Sequence, residues 1–274
     1  MNPAAEKMIA QAINLPQVPV VMQEVVKSLR NDKVPISQLA ELVRNDPVIA
    51  AKVLRLANSS YYGARREVSS INEALKVIGL ASFRNRVIAS SLVTTFTRLG
   101  GVDLADFWRN SMLVANLADL VGRNLPSGQE SHFSAGLLHG IGQLLIFLCV
   151  PEFAPAVARC CNETRLEEQR GVEQALLQTD HFEMGIALAQ RWDFPESIQS
   201  AIGHHDTPAD DDLAAQVVHA AVKIAHALRA GQPPAAMLAE LAPAMAERLQ
   251  LSPAWFEAKA AAIGLLQQES AALI

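Results

Sequence analysis

Seven histidines, His132, His139, His181, His204, His205, His219 and His226, are the side chains here best suited to proton transfer or metal ligation near neutral pH. Four of them, His139, His181 and the adjacent pair His204-His205, stand at junctions of apolar helical stretches, where the chain can bring them into one pocket. His139 lies in GLLHGIGQLL, residues 136–145, and is followed directly by Gly140. Hydrolysis of a phosphoester at a metal centre needs carboxylates beside the imidazoles, to hold hard cations and activate water. Glycine offers no side chain for that task. The histidines can therefore share a pocket without making a catalytic metal centre.

The elements that must position these residues are helical. Asp46-Pro47 places an N-cap residue before a proline suited to the first helical turn, and Ile49, Val53, Leu56 and Ala57 follow on one apolar face. Asn58-Ser59-Ser60-Tyr61-Tyr62 ends that helix as a polar connection. Ser70-Ile71-Asn72-Glu73 reads as a capping box for a helix with Ile71, Ala74, Leu75 and Ile78 inward. Gly79 is a stop, and Ser82 caps the next helix, which runs to about Phe96. Trp192 is a core anchor, and Pro195 opens a helix. No segment alternates apolar and polar residues as a half-buried strand would, so the fold class is all-α. Punctuation at Gly100-Gly101 and at Gly231-Gln232-Pro233-Pro234 divides the chain into residues 1–101, 102–230 and a helical tail, 231–274. Ser252-Pro253 caps the last helix of that tail, with Phe256, Ala260 and Ile263 on the side that packs on the core.

Composition narrows the function classes. Half the residues are hydrophobic, enough for a sizeable core, whereas the longest apolar run, Leu144–Val150, is too short to cross a bilayer. The first residues, MNPAAEKMIA, lack the pattern of a secretory signal. Cys149, Cys160 and Cys161 form neither a CxxC nor an even-numbered framework, which fits reduced thiols and a cytoplasmic location. Charge is uneven: residues 1–137 carry 15 Lys/Arg against 11 Asp/Glu, and residues 138–274 carry 8 against 17. A solvated surface is the ordinary reading of such an excess; an acidic-partner surface that includes Arg65 and Arg66 is the functional one. There is no glycine-rich phosphate loop and no nucleic-acid module, so neither a membrane nor nucleic acid is expected as a partner.

Taken together, DPVIAAKVLRLANSSYYG (46–63), SSINEALKVIGL (69–80), FWRNSMLVA (107–115), GLLHGIGQLLI (136–146) and HFEMGIALAQRWDFPESIQSAIGHHDTP (181–208) resemble the HDOD family, a non-catalytic relative of the HD phosphohydrolases, over about residues 15–230. The resemblance implies an N-terminal helical bundle packed on an HD-like helical core. Carried onto this chain, the HD ligand pattern falls at Asn110, His139, Gly140 and Val222, so only His139 of the four keeps its ligating type. His181, His204 and His205 resemble additional ligands of the multi-metal HD branch. With Asn110 and His139 they form a remnant binding pocket, without catalytic residues, metal or cofactor. What the resemblance implies is a non-enzymatic signal-transduction module in a bacterial regulatory pathway, acting on signalling proteins and open to a small ligand. The competing class is a metal-dependent phosphohydrolase or cyclic-dinucleotide phosphodiesterase using a rearranged histidine site.

Overall fold

The computed structural model describes residues 2–11, 15, 17–30, 35–59, 62, 66–96, 99–100, 102–125, 131–151 and 166–272. Every regular element among them is a helix. Packing groups them into two compact units: residues 16–97 with 192–195, and residues 1–15, 98–191 and 196–274.

The smaller unit contains α2 (Val20–Arg30), α3 (Ile36–Arg44), α4 (Pro47–Ala57) and α5 (Ile71–Thr95). Asp46 caps α4 by accepting from the Val48 and Ile49 amides, each at 3.0 Å. Ile49, Val53 and Ala57 are buried as the spacing predicts, while Leu56 is only half-buried. Ser70 Oγ accepts the Glu73 amide at 3.2 Å. The reciprocal bond is displaced by one residue, since Glu73 accepts from the Ser69 amide at 3.4 Å. Gly79, at φ +78°, breaks α5 into two helical segments in a conformation that costs a residue with a Cβ. Asn58 is a local clamp: its Nδ2 donates to Leu54 O and Val68 O, and its Oδ1 accepts the Val68 amide at 2.8 Å. That pins the segment leading into α5 onto the end of α4.

The four residues Trp192–Pro195 complete this unit. Phe194 is fully buried, and the Trp192 ring lies 6.4 Å from that of Phe96. Arg30 holds the turn from both sides, pairing with Asp193 Oδ1 at 2.9 Å and donating to Phe194 O at 2.6 Å.

The larger unit contains α1 (Pro3–Gln11), α6 (Leu104–Gly122), α7 (Ser131–Leu138), α8 (Ile141–Cys149), α9 (Leu166–Leu177), α10 (His181–Arg191), α11 (Glu196–His204), α12 (Leu213–Arg229), a 3₁₀ helix (Pro234–Glu240), α13 (Pro243–Arg248) and α14 (Pro253–Ala272). One apolar cluster joins Leu113, Leu117 and Val121 of α6 to Val217, Ala221 and Ile224 of α12, and to Met237, Phe256 and Ile263 of the tail. Ser252 Oγ caps α14 by accepting the Trp255 amide at 3.2 Å. Phe256 and Ile263 are buried as expected, but Ala260 is exposed, because the inward stripe of α14 runs on to Leu266 and Ser270 instead.

Residues 131–149 form a stretch longer than the Leu144–Val150 run and apolar enough, by length and composition, to cross a membrane. Here it is two helices, broken at His139-Gly140, and 78% of it is buried inside the protein. Its apolar character serves the core.

Candidate functional site

The break between α7 and α8 sets His139 on the turn where the chain reverses. His139 Nδ1 lies 2.7 Å from Gly136 O. A carbonyl only accepts, so Nδ1 carries the hydrogen and the lone pair resides on Nε2. His205 follows α11, and its Nδ1 lies 3.0 Å from Ala201 O and 3.1 Å from Ile202 O, which fixes the same tautomer. The two rings meet edge to face, with centroids 5.4 Å apart and planes at 81°. Burial pushes the imidazolium form of both far down, to a pKa of about 4 for His139 and about 3 for His205. Near neutral pH both are uncharged acceptors at Nε2.

His181 is the first residue of α10 and is held by a carboxylate. Glu173 of α9 is fully buried; its Oε2 accepts both the His181 backbone amide at 2.9 Å and Nδ1–H at 2.6 Å. Its other oxygen accepts Gln169 Nε2 at 2.9 Å. The α9–α10 turn is fixed in the same manner, since Asp180 caps α10 through the Glu183 amide and pairs with Arg170 at 2.7 Å. Phe182 links the rings, its centroid 4.1 Å from that of His181 and 5.2 Å from that of His205. A third layer comes from α12, where His219 Nδ1 donates to His205 O at 2.7 Å.

The structure therefore brings together His139, His181 and His205. His204 is exposed, with its ring 3.1 Å from Ser200 Oγ. One residue along a helix turns a side chain by about 100°, so adjacent histidines cannot share a face. Asn110 is half-buried on α6, and Val222 is half-buried against the apolar cluster of α6, α12 and the tail. Gly140 faces the Phe107 ring: a Cβ placed there would meet Phe107 Cε2 at 3.3 Å. Arg66 is exposed and paired with Glu73 at 3.0 Å; Arg65, Cys160 and Cys161 lie outside the described residues. Cys149 is a free thiol whose pKa burial raises to about 11, which leaves it unreactive.

Glu173 and His219 were not evident from the sequence. Glu173 is separated from His181 by the α9–α10 turn and belongs to no ligand spacing, and His219 acts through its hydrogen bond to a backbone carbonyl. As a metal site the set fits poorly. The one carboxylate at the cluster has both oxygens committed, and among the described residues no three His, Cys, Asp or Glu side chains are grouped so as to hold a metal ion.

The sequence profile of the HDOD domain matches residues 15–208. An HDOD domain protein of unknown function from Geobacter sulfurreducens has a solved structure that superposes with a TM-score of 0.81 at 27% identity, covering 99% of this chain and 97% of that one. A candidate phosphohydrolase from Shewanella amazonensis SB2B superposes equally well, with a TM-score of 0.81 at 27% identity, over 99% of this chain and 98% of its own. An uncharacterised protein of Treponema pallidum (strain Nichols) is 25% identical over 205 residues, which are 71% of this chain and 38% of that protein's length.

Proposed function

Because the chain belongs to the HDOD family, we propose that it is a regulatory module that works by binding rather than by catalysis, with the His139–His181–His205 cluster as the remnant of an HD centre. One observation carries this reading. At the cluster every Nδ1 is tied to a backbone carbonyl or to Glu173, while the position of the HD aspartate is Gly140, set against an aromatic ring. A catalytic metal ordinarily has three or more protein ligands and a further site for water. In the HD positions of this chain, asparagine is a weak neutral donor, and glycine and valine supply none. Signalling proteins are the partners this reading expects, and the ligand contact it expects is a hydrogen-bond donor facing the imidazole Nε2 atoms.

A specific observation also favours the phosphohydrolase reading. Histidines that ligate metals commonly donate Nδ1–H to a carboxylate or carbonyl, as all three do here, and one of the similar structures bears a phosphohydrolase name. The two readings separate on thermal unfolding with and without manganese, zinc or iron, followed by assay on a generic phosphodiester. The binding-module reading expects no metal-dependent rise in midpoint and no turnover. A rise of several degrees that His139→Ala abolishes, with metal-dependent hydrolysis, would overturn it.

A further inference from the structure

Helix α1 belongs to the larger unit, where it lies against α10 and α8. Ala5 and Ile9, one helical turn apart, are buried, and Met8 is half-buried beside them. That is a narrow apolar stripe, and a helix of nine residues has little stability of its own. The polar attachment of α1 to its neighbours runs through Asn2. Asn2 Oδ1 caps the helix by accepting the Ala4 amide at 2.8 Å. Asn2 Nδ2 reaches the other way, donating to Gln178 O at 3.1 Å and to Glu183 Oε2 at 2.6 Å.

Both acceptors flank His181. Gln178 follows α9 at φ +59°, a left-handed conformation that a residue with a Cβ adopts at a cost. Glu183 stands in the first turn of α10, and the oxygen that accepts from Asn2 also accepts Thr179 Oγ1 at 3.0 Å. The Glu183 amide is held in turn by Asp180 Oδ1 at 2.9 Å. Thr179, Asp180 and His181 are all buried. One side chain of α1 thus grips the α9–α10 turn on both sides of His181, while Glu173 holds His181 from α9.

We propose that α1 is a strap: docked, its Asn2 fixes the α9–α10 turn and with it the place of His181 in the histidine cluster; undocked by local opening of the folded protein, it frees that turn to shift. Opening α1 exposes a short stripe and breaks two bonds, whereas opening α12 breaks the apolar cluster that joins α6 to the tail. Docking of the strap and occupancy of the cluster are then linked, each favouring the other. The inference rests on the proposed function only in taking the cluster as the pocket. Its readouts need no ligand or metal, so a metal-dependent activity would overturn that function and leave the strap standing.

The test is amide hydrogen exchange followed by NMR on the full chain at neutral pH, with Asn2→Ala and Asn2→Asp beside the parent. An ionised aspartate keeps the oxygen that caps α1 but has no donor for Gln178 O or Glu183, so it separates the grip from the cap. In the parent, the α1 amides are expected to exchange about a hundredfold or more faster than those of α12, as local opening allows. In both variants the His181 and Glu183 amides are expected to exchange about tenfold faster than in the parent, the size of a lost hydrogen bond of ordinary net strength, with α12 unchanged. Lys7→Gln, at an exposed position of α1, is expected to behave as the parent does. Four outcomes would overturn the strap: α1 as slow as α12 in the parent, α1 accelerated in the variants with His181 and Glu183 unmoved, parental rates in Asn2→Asp, or acceleration of α12 by the same factor, which would mark a global loss of stability.

Discussion

His139 and His205 are held as neutral acceptors by enclosure, and that has a direct thermodynamic consequence. In the unfolded chain an imidazole titrates near pH 6.5, whereas in the fold these two titrate at about 4 and about 3. Between those values the unfolded state binds more protons than the folded one, so stability is complete above pH 6.5 and falls as the solution is acidified. The loss from His139 stops near pH 4 and that from His205 near pH 3, with each pH unit costing about 1.4 kcal/mol per group. We expect urea midpoints to decline steadily from pH 6.5 to pH 4. In His139→Asn, which keeps a donor for Gly136 O, the decline should be shallower by about one proton. An unchanged slope would show that His139 is protonated without penalty and is not enclosed as described.

At the scale of elements, the cluster depends on how closely α8 and α10 approach. A Cβ on Gly142 would lie 1.7 Å from His181 O, a backbone atom that cannot swing aside. Gly142→Ala is therefore expected to destabilise the protein by about 3 kcal/mol or more, at the upper end of overpacking effects, measured by chemical denaturation. Glu173→Ala acts through α9: it leaves the His181 amide and ring N–H without their buried acceptor, and the same measurement is expected to show a loss of about 1–3 kcal/mol, the cost of leaving a buried donor unsatisfied. Much of this scale was legible in the sequence. Asp46, Ser70, Gly79 and Ser252 act where their local chemistry places them, because caps and stops are decided within four residues. The histidine cluster was legible in three of its four expected histidines, His204 being lost to the 100° step of the helix. Glu173 was not legible, since its bond to His181 depends on which faces of two helices meet, and helical periodicity does not encode that pairing.

The whole molecule bears on whether an HD centre can be rebuilt. Asn110→His, Gly140→Asp and Val222→Asp together restore the ligand types of the family pattern, and two of them put carboxylates into a packed interior. Without metal those charges are expensive. The triple variant should unfold at lower temperature in chelator and recover with a divalent cation, by about 2.7 kcal/mol at a hundredfold excess over the dissociation constant. The parent chain should show no such recovery. Failure of the variant to respond to any cation would mean that the backbone, and not only the side chains, has left the HD geometry. A separate consequence follows from the turn Trp192–Pro195, whose flanking helices belong to one unit while its own side chains belong to the other. The polypeptide passes between the two units four times, so neither can be copied out as one uninterrupted segment. Recombination that borrowed residues 16–97 alone would carry away Phe96 without Trp192, and Arg30 without Asp193 or the Phe194 carbonyl. Inheritance of the two units is thereby tied, and a gene fusion that keeps one in working order has to keep both.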